Sequence, residues 1–229
     1  LAKKSLQSEK RRNLMVVIAV ALASCLICFS IVMALSTRQI EKNHVEDTYE
    51  AVYTRITEED VSTLKGLDDF SRVGEYYMLA VEPAKQGYNA SYIYCDEETM
   101  YIARDQMKLL EGRLPQKEDE VAVSRYFLSN YGADAGIGEK VMLNSESFHG
   151  EYTVTGILEG YKEKEVNGSS ILLSKEALKG WSGYDPADYR AYVHFKNEQQ
   201  MDETELTARS REIAKEYQLE MPIMNLSYM

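Results

Sequence analysis

Residues 14–35 read LMVVIAVALASCLICFSIVMAL, an uninterrupted apolar run with no charge, proline or glycine. As an α-helix these 22 residues reach about 33 Å, enough to cross a hydrocarbon core of roughly 30 Å. No other stretch of the chain is comparably apolar. The sequence therefore predicts one anchor near its start and a polar remainder.

The run admits two other readings. A cleaved signal would use Val32-Met33-Ala34 as its small-residue site, but signal cores are typically about 7–15 residues and this one is longer. Leu22-Ala23-Ser24-Cys25 has the form of a lipoprotein signal, yet the chain continues apolar through Leu26, Ile27, Cys28 and Phe29, where such a signal turns polar. The uncleaved helix, over 14–36, is the reading its length favours.

Charge sets the expected orientation. Lys3, Lys4, Lys10, Arg11 and Arg12 precede the span with only Glu9 against them, whereas Arg38 and Lys42 after it are soon diluted by Glu41, Glu46, Asp47 and Glu50. Cationic flanks resist translocation, so segment 1–13 is expected in the cytoplasm and 37–229 outside the cell membrane. The whole chain carries −11, and without its basic lead the remainder carries −15. That surface excludes a nucleic-acid partner, which needs a basic face to displace counterions.

Cys25 and Cys28 fall inside the span, where they read as small apolar packers, and Cys95 stands alone outside it. No disulfide within the exported part is then available, and its core must hold it together. The 17 tyrosines, many at alternating positions such as Tyr92 and Tyr94, suit the strands of a half-buried sheet. The chain starts at Leu1 rather than Met and stops just past the apolar Met221–Met224, as if cut from a longer protein.

A stalk is expected from 37, passing into a strand at 51–56. Thr57-Glu58-Glu59-Asp60 opens a helix that buries Val61, Leu64 and Leu67, and a strand follows over 73–81. The pattern recurs at the far end, with a strand at 191–195, a helix capped by Asp202 and running to about Tyr217, and a short strand at 221–224. Two βαβ units far apart in sequence predict an α+β fold with a split, ferredoxin-like layer over 37–83 and 188–229. The intervening 84–187 is expected to be a β-rich insertion. Its predicted elements are a hairpin of 91–94 with 100–104 about the turn Asp96-Glu97-Glu98, a strand at 120–124, a short helix at 125–131, and strands at 140–143, 152–158 and 170–173.

The segments Leu110-Glu111-Gly112-Arg113-Leu114-Pro115, Glu120-Val121-Ala122-Val123-Ser124, Tyr131-Gly132, Gly136-Ile137-Gly138 and Tyr152-Thr153-Val154-Thr155-Gly156-Ile157-Leu158 follow one another in an order and spacing that carry more than any one of them does. Together with the basic lead into the span, they resemble the extracytoplasmic core domain of MacB/FtsX-type ABC transporter permeases. Physically, Gly112 and Gly138 suit turns that need positive φ, Pro115 fixes the chain before a strand, and Gly156 within a strand signals a bulge or close packing. The resemblance implies a permease subunit with further membrane helices, sometimes with the whole unit repeated. It implies a cytoplasmic ABC ATPase subunit as partner, a second permease copy or repeat, and a peptide, lipid or protein cargo. Motion driven by ATP would reach the exported domain through the stalk. No G-x-x-x-x-G-K-[ST] phosphate loop is present, so hydrolysis would belong to the partner.

Catalytic chemistry is not expected, and neither catalytic, cofactor-binding nor metal residues are assigned. His44, His149 and His194 lack partners at ligand spacing, and Cys25-x-x-Cys28 lies in the span. Ser169 and Ser170, after Asn167-Gly168, read as a turn. Asp96-Glu97-Glu98 and Glu118-Asp119-Glu120 read as solvated loop faces, with a weak calcium contact as the minor alternative, since oxygen ligands alone do not make a cage. The sequons at Asn89 and Asn167 would count only in a eukaryotic secretory pathway. The alternative to a permease is a single-pass sensor or adaptor whose exported domain binds a ligand or cell-wall partner. An anchored extracytoplasmic enzyme has least support.

Overall fold

The computed structural model describes residues 14–33, 48–83, 88–104, 107–131, 134–159, 168–196 and 201–225. The chain divides into two units, Leu1–Glu46 and Asp47–Met229. In the first, α1 runs Leu14–Met33 with mean hydropathy 2.9, long and apolar enough to cross a membrane once. Ser24 and Ser30 turn their hydroxyls back to the carbonyls of Val20 and Leu26, which satisfies them inside an otherwise apolar surface. The basic lead 1–13 and the stalk expected over 37–47 lie outside the described residues.

The second unit contains, in order, β1 (Ala51–Ile56), α2 (Glu58–Lys65), β2 (Phe70–Pro83), β3 (Asn89–Cys95), α3 (Glu97–Ile102), β4 (Lys108–Gly112), β5 (Glu120–Ser124), α4 (Arg125–Tyr131), β6 (Lys140–Asn144), β7 (His149–Glu159), β8 (Gly168–Leu173), α5 (Lys175–Gly180), β9 (Tyr189–Phe195), α6 (Glu203–Glu216) and β10 (Ile223–Met224). Local chemistry explains the helix starts. The Thr57 hydroxyl accepts from the Asp60 N–H at 3.1 Å while the Asp60 carboxylate accepts from the Thr57 N–H at 2.8 Å, and Asp202 and Glu205 do the same for α6. Each reciprocal box satisfies backbone donors that a helix start leaves open.

Ten strands form one sheet in the order β10-β1-β9-β2-β3-β8-β5-β7-β4, with β6 also on β7. β10, β1, β9 and β2 are antiparallel neighbours, the order of the split βαβ layer. The insertion is β-rich as expected. Its strands prolong the same sheet, β3 pairing antiparallel with β2, and β8 running parallel to β3.

Central strands are buried on both faces. Val121, Ala122 and Val123, like Ile171, Leu172 and Leu173, alternate between two clusters and are all nearly inaccessible. One face packs Tyr53, Tyr77, Tyr92 and Tyr189 with residues from α2, α4, α5 and α6. The other holds a smaller cluster of Tyr76, Ile93, Cys95, Met100 and Leu172 beneath α3. Two of these phenols are tied to backbone: the Tyr53 hydroxyl donates to the Ser210 carbonyl at 2.9 Å and that of Tyr77 to the Asp185 carbonyl at 3.2 Å.

Two expectations need correction. Residues 100–102 belong to α3, not to a hairpin strand, because Asp96 accepts from the Thr99 N–H at 2.9 Å and caps a helix. Gly168 and Ser169 join the expected strand from Ser170 in β8 rather than forming a turn, with Asn89 to Ser91 of β3 alongside in register. Gly112 and Gly138 do adopt positive φ, +82° and +85°. Gly156 meets both forms of its expectation: the β5–β7 register slips beside it, and a Cβ there would stand 2.6 Å from the Arg113 carbonyl oxygen.

Candidate functional site

The incoming and outgoing segments of the second unit meet at one edge of the sheet. β1 starts beside the end of β10, with Ala51 opposite Met224. Just beyond that pair, Asn225 donates its backbone N–H to the Glu50 carbonyl at 2.8 Å and its side-chain Nδ2 to the Tyr49 carbonyl at 2.9 Å. Tyr49 in turn donates its N–H to the Ile102 carbonyl, and Glu50 to that of Val193. The two chain segments are thereby clasped to each other, to β9 and to the end of α3.

Glu50 anchors this clasp. Its side chain is 1 % exposed, with one carboxylate oxygen 2.6 Å from His194 Nδ1 and the other accepting from the Phe195 N–H at 2.8 Å. Removing a carboxylate from water is costly, and these partners offset the cost at this one point. The Tyr49 ring packs edge-on to Tyr192 at 4.7 Å and closes the site from the side.

A second tie joins the insertion to the split layer. Lys175, at the start of α5, places Nζ 2.7 Å from Glu58 of α2 and 2.6 Å from Glu75 of β2, while Lys179 reaches Glu58 at 3.0 Å. The rings of Tyr94 and Tyr189 lie 5.7 and 5.9 Å from the same ammonium. Burial pulls the Lys175 pKa down, but its bonds to Glu58 and Glu75 outweigh that and leave it above the ordinary lysine value. The bonds from Lys175 and then Lys179 hold Glu58 below the ordinary carboxylate value. Each charge here is matched by an opposite one across an element boundary, which is the chemistry of a fastening.

The sequence-derived candidates disperse. His194 is buried against Glu50 and His149 is exposed at the start of β7, while His44 and Asn167 lie outside the described residues. Ser169 is buried with its hydroxyl 3.2 Å from that of Ser124. Cys95 is buried, and desolvation pushes its thiol pKa far up, as in an inert packing residue. Glu120 departs from the solvated-face reading, since it turns inward to Arg113 at 2.7 Å. Among the described residues no group of three or more His, Cys, Asp or Glu could hold a metal ion. Sequence reasoning passed over Glu50, Asn225 and Lys175. The available signal was the strand pattern of 191–195, which places His194 on the face of Tyr192 and so asks for a buried acceptor.

Comparison with known proteins agrees with this architecture. No curated protein matches the chain in sequence. Among solved structures, the extracellular domain of the noncanonic ABC-type transporter YknZ from Gram-positive bacteria is similar with a TM-score of 0.53 at 15 % identity, covering 78 % of this chain and 100 % of that domain. The periplasmic region of MacB from Actinobacillus actinomycetemcomitans is similar with a TM-score of 0.50 at 12 % identity, covering 79 % of this chain and 89 % of that one. At such identities the likeness concerns the fold. The family model described as MacB-like periplasmic core domain matches residues 14–211, so the chain belongs to that family of ABC transporter permease domains.

Proposed function

We propose that this chain is the N-terminal portion of an ABC permease subunit, whose exported domain transmits ATP-driven motion from the membrane to a cargo or partner outside. In this reading 1–13 is cytoplasmic, 14–36 spans the membrane and 37–229 is extracytoplasmic. The split layer comprises 37–83 and 188–229, and 84–187 is the insertion. A separate cytoplasmic ATPase hydrolyses ATP, and a second permease copy or repeat completes the assembly. The cargo is a peptide, lipid or protein. The observation that carries the reading is the clasp of Tyr49 and Glu50 with Asn225: a domain inserted between membrane segments needs its two chain ends side by side, so that displacement enters at one place.

Affinity purification of the full-length gene product from its native membrane is expected to bring down an ABC ATPase. A product that ends near Met229 with a single span and no ATPase would instead favour a single-pass sensor. Orientation has its own test. Reversing the charges of Lys10, Arg11 and Arg12 should reduce or invert export of the domain, read as loss of external protease access. Unchanged access would contradict the proposed topology.

A further inference from the structure

An open cleft of about 410 Å³ lies between α5 and the β6–β7 turn, lined by Glu118, Ser147, Phe148, Tyr152, Trp181 and Ser182 among others. It is separate from both the clasp and the Lys175 tie, and its volume falls in the range of small-ligand sites. Its aromatic wall is Trp181, backed by a file of rings that leads into the core. Tyr92, wholly buried, lies 4.6 Å from Phe148 at 31° between planes, and Phe148 lies 6.3 Å from Trp181 at 29°. Gly183 packs so closely on the indole that a Cβ there would stand 2.6 Å from it. Trp181 is half-buried and held from two sides, so no side-chain freedom needs to be given up when something lies against it.

We infer that this cleft binds a neutral sugar ring. A pyranose has an apolar face of C–H groups, which matches a fixed aromatic wall, and an edge of hydroxyls that both donate and accept. Ser182 supplies a hydroxyl, Glu118 supplies an exposed acceptor, and the Tyr152 phenol supplies a polar tip on an apolar body. An anionic ligand is disfavoured, because the lining residues include an acid and no base, on a chain of net charge −11. A purely apolar ligand would use the wall and leave the polar rim unmatched.

The chain has one tryptophan, so its emission reports this cleft alone. The full chain, reconstituted in phosphatidylcholine vesicles without glycoside detergent, would be titrated with trimers of N-acetylglucosamine and of glucose, and with a basic peptide. A saturable change in emission with at least one saccharide is expected, weakened about tenfold or more in Glu118→Gln and in Tyr152→Ala. Glu118→Gln should keep the wild-type urea midpoint within error; Tyr152 packs against the core, so its variant is compared by calorimetric titration with Arg211→Ala, an exposed position on α6 outside the cleft lining. Absence of a saturable response to either saccharide overturns the inference. So does a response that every one of these substitutions leaves unchanged. A response to the peptide alone assigns the cleft to a polypeptide and equally overturns the sugar reading.

Discussion

Glu120 shows what a side chain's surroundings add to its sequence neighbours. Of the acids Glu118, Asp119 and Glu120, only the last is buried, 6 % exposed, and its carboxylate takes two bonds from the Arg113 guanidinium at 2.7 and 2.8 Å. The backbone N–H groups of Gln116 and Lys117 add to these at 2.9 and 3.3 Å. Arg113 is the main reason that the Glu120 pKa falls to about 2, with the two N–H groups helping and desolvation opposing. Because the folded value lies below the unfolded one, the pair stabilises the fold fully above the ordinary carboxylate range and ceases to as pH falls toward about 2. Urea midpoints of wild type and Glu120→Gln should therefore differ at neutral pH and converge as the pH is lowered through that window. A constant gap would contradict the assignment. Both residues stand in the Gly112-Arg113-Leu114-Pro115 and Glu120-Val121 motifs, but only the positive φ of Gly112 and the loop after it fold one back onto the other.

Elements with complete local grammar were legible, and those that depend on distant partners were not. Thr57 with Asp60 could be read directly, as could Asp202 before its apolar stripe of Leu206 and Ile213, because a capping box and its buried face lie within a few turns. The α3 helix has only six residues and carries Thr99, Tyr101 and Ile102, which favour strands as readily. What settles it is Asp96, whose Oδ1 accepts from the N–H groups of both Thr99 and Glu75 and from the Thr99 hydroxyl, all at 2.9 Å. Glu75 lies on β2, so this contact was invisible along the sequence. Asp96→Ala removes a cap, a cross-element acceptor and the half-exposed ion pair with Lys65 at 3.0 Å, and is expected to cost about 2 kcal/mol, against about 1 kcal/mol for Asp202→Ala, which removes a cap alone. For a chain of this size the first should lower the thermal midpoint by roughly 4–8 °C and the second by about half of that. Equal losses would mean that the bond to β2 contributes nothing.

At the scale of the whole molecule, the clasp determines how a load would enter the sheet. Its two segments end side by side, and β1 lies between β10 and β9, so a pull on β1 runs along its ladder with β9. Ala51, Val52 and Tyr53, opposite Val193, Tyr192 and Ala191, then resist together rather than opening one bond at a time. Glu50 stands at the first rung and ties the incoming chain to His194 and Phe195, the last residues of β9. Its partners His194 and Phe195 lie 144 and 145 residues along the chain and come together with it only when β9 returns beside β1. Glu50→Ala removes the buried carboxylate that pairs with the His194 ring and accepts from the Phe195 N–H, and is expected to destabilise the domain by about 3–5 kcal/mol. Glu50→Gln keeps the shape and an acceptor oxygen and should cost less. If the clasp transmits force, Glu50→Gln has a second signature in the full permease: the ATPase still co-purifies and still hydrolyses ATP, but nucleotide-dependent movement of a label at exposed Val81, at 55 % accessibility, is diminished. Full movement with the weakened clasp would place the transmission path elsewhere in the domain.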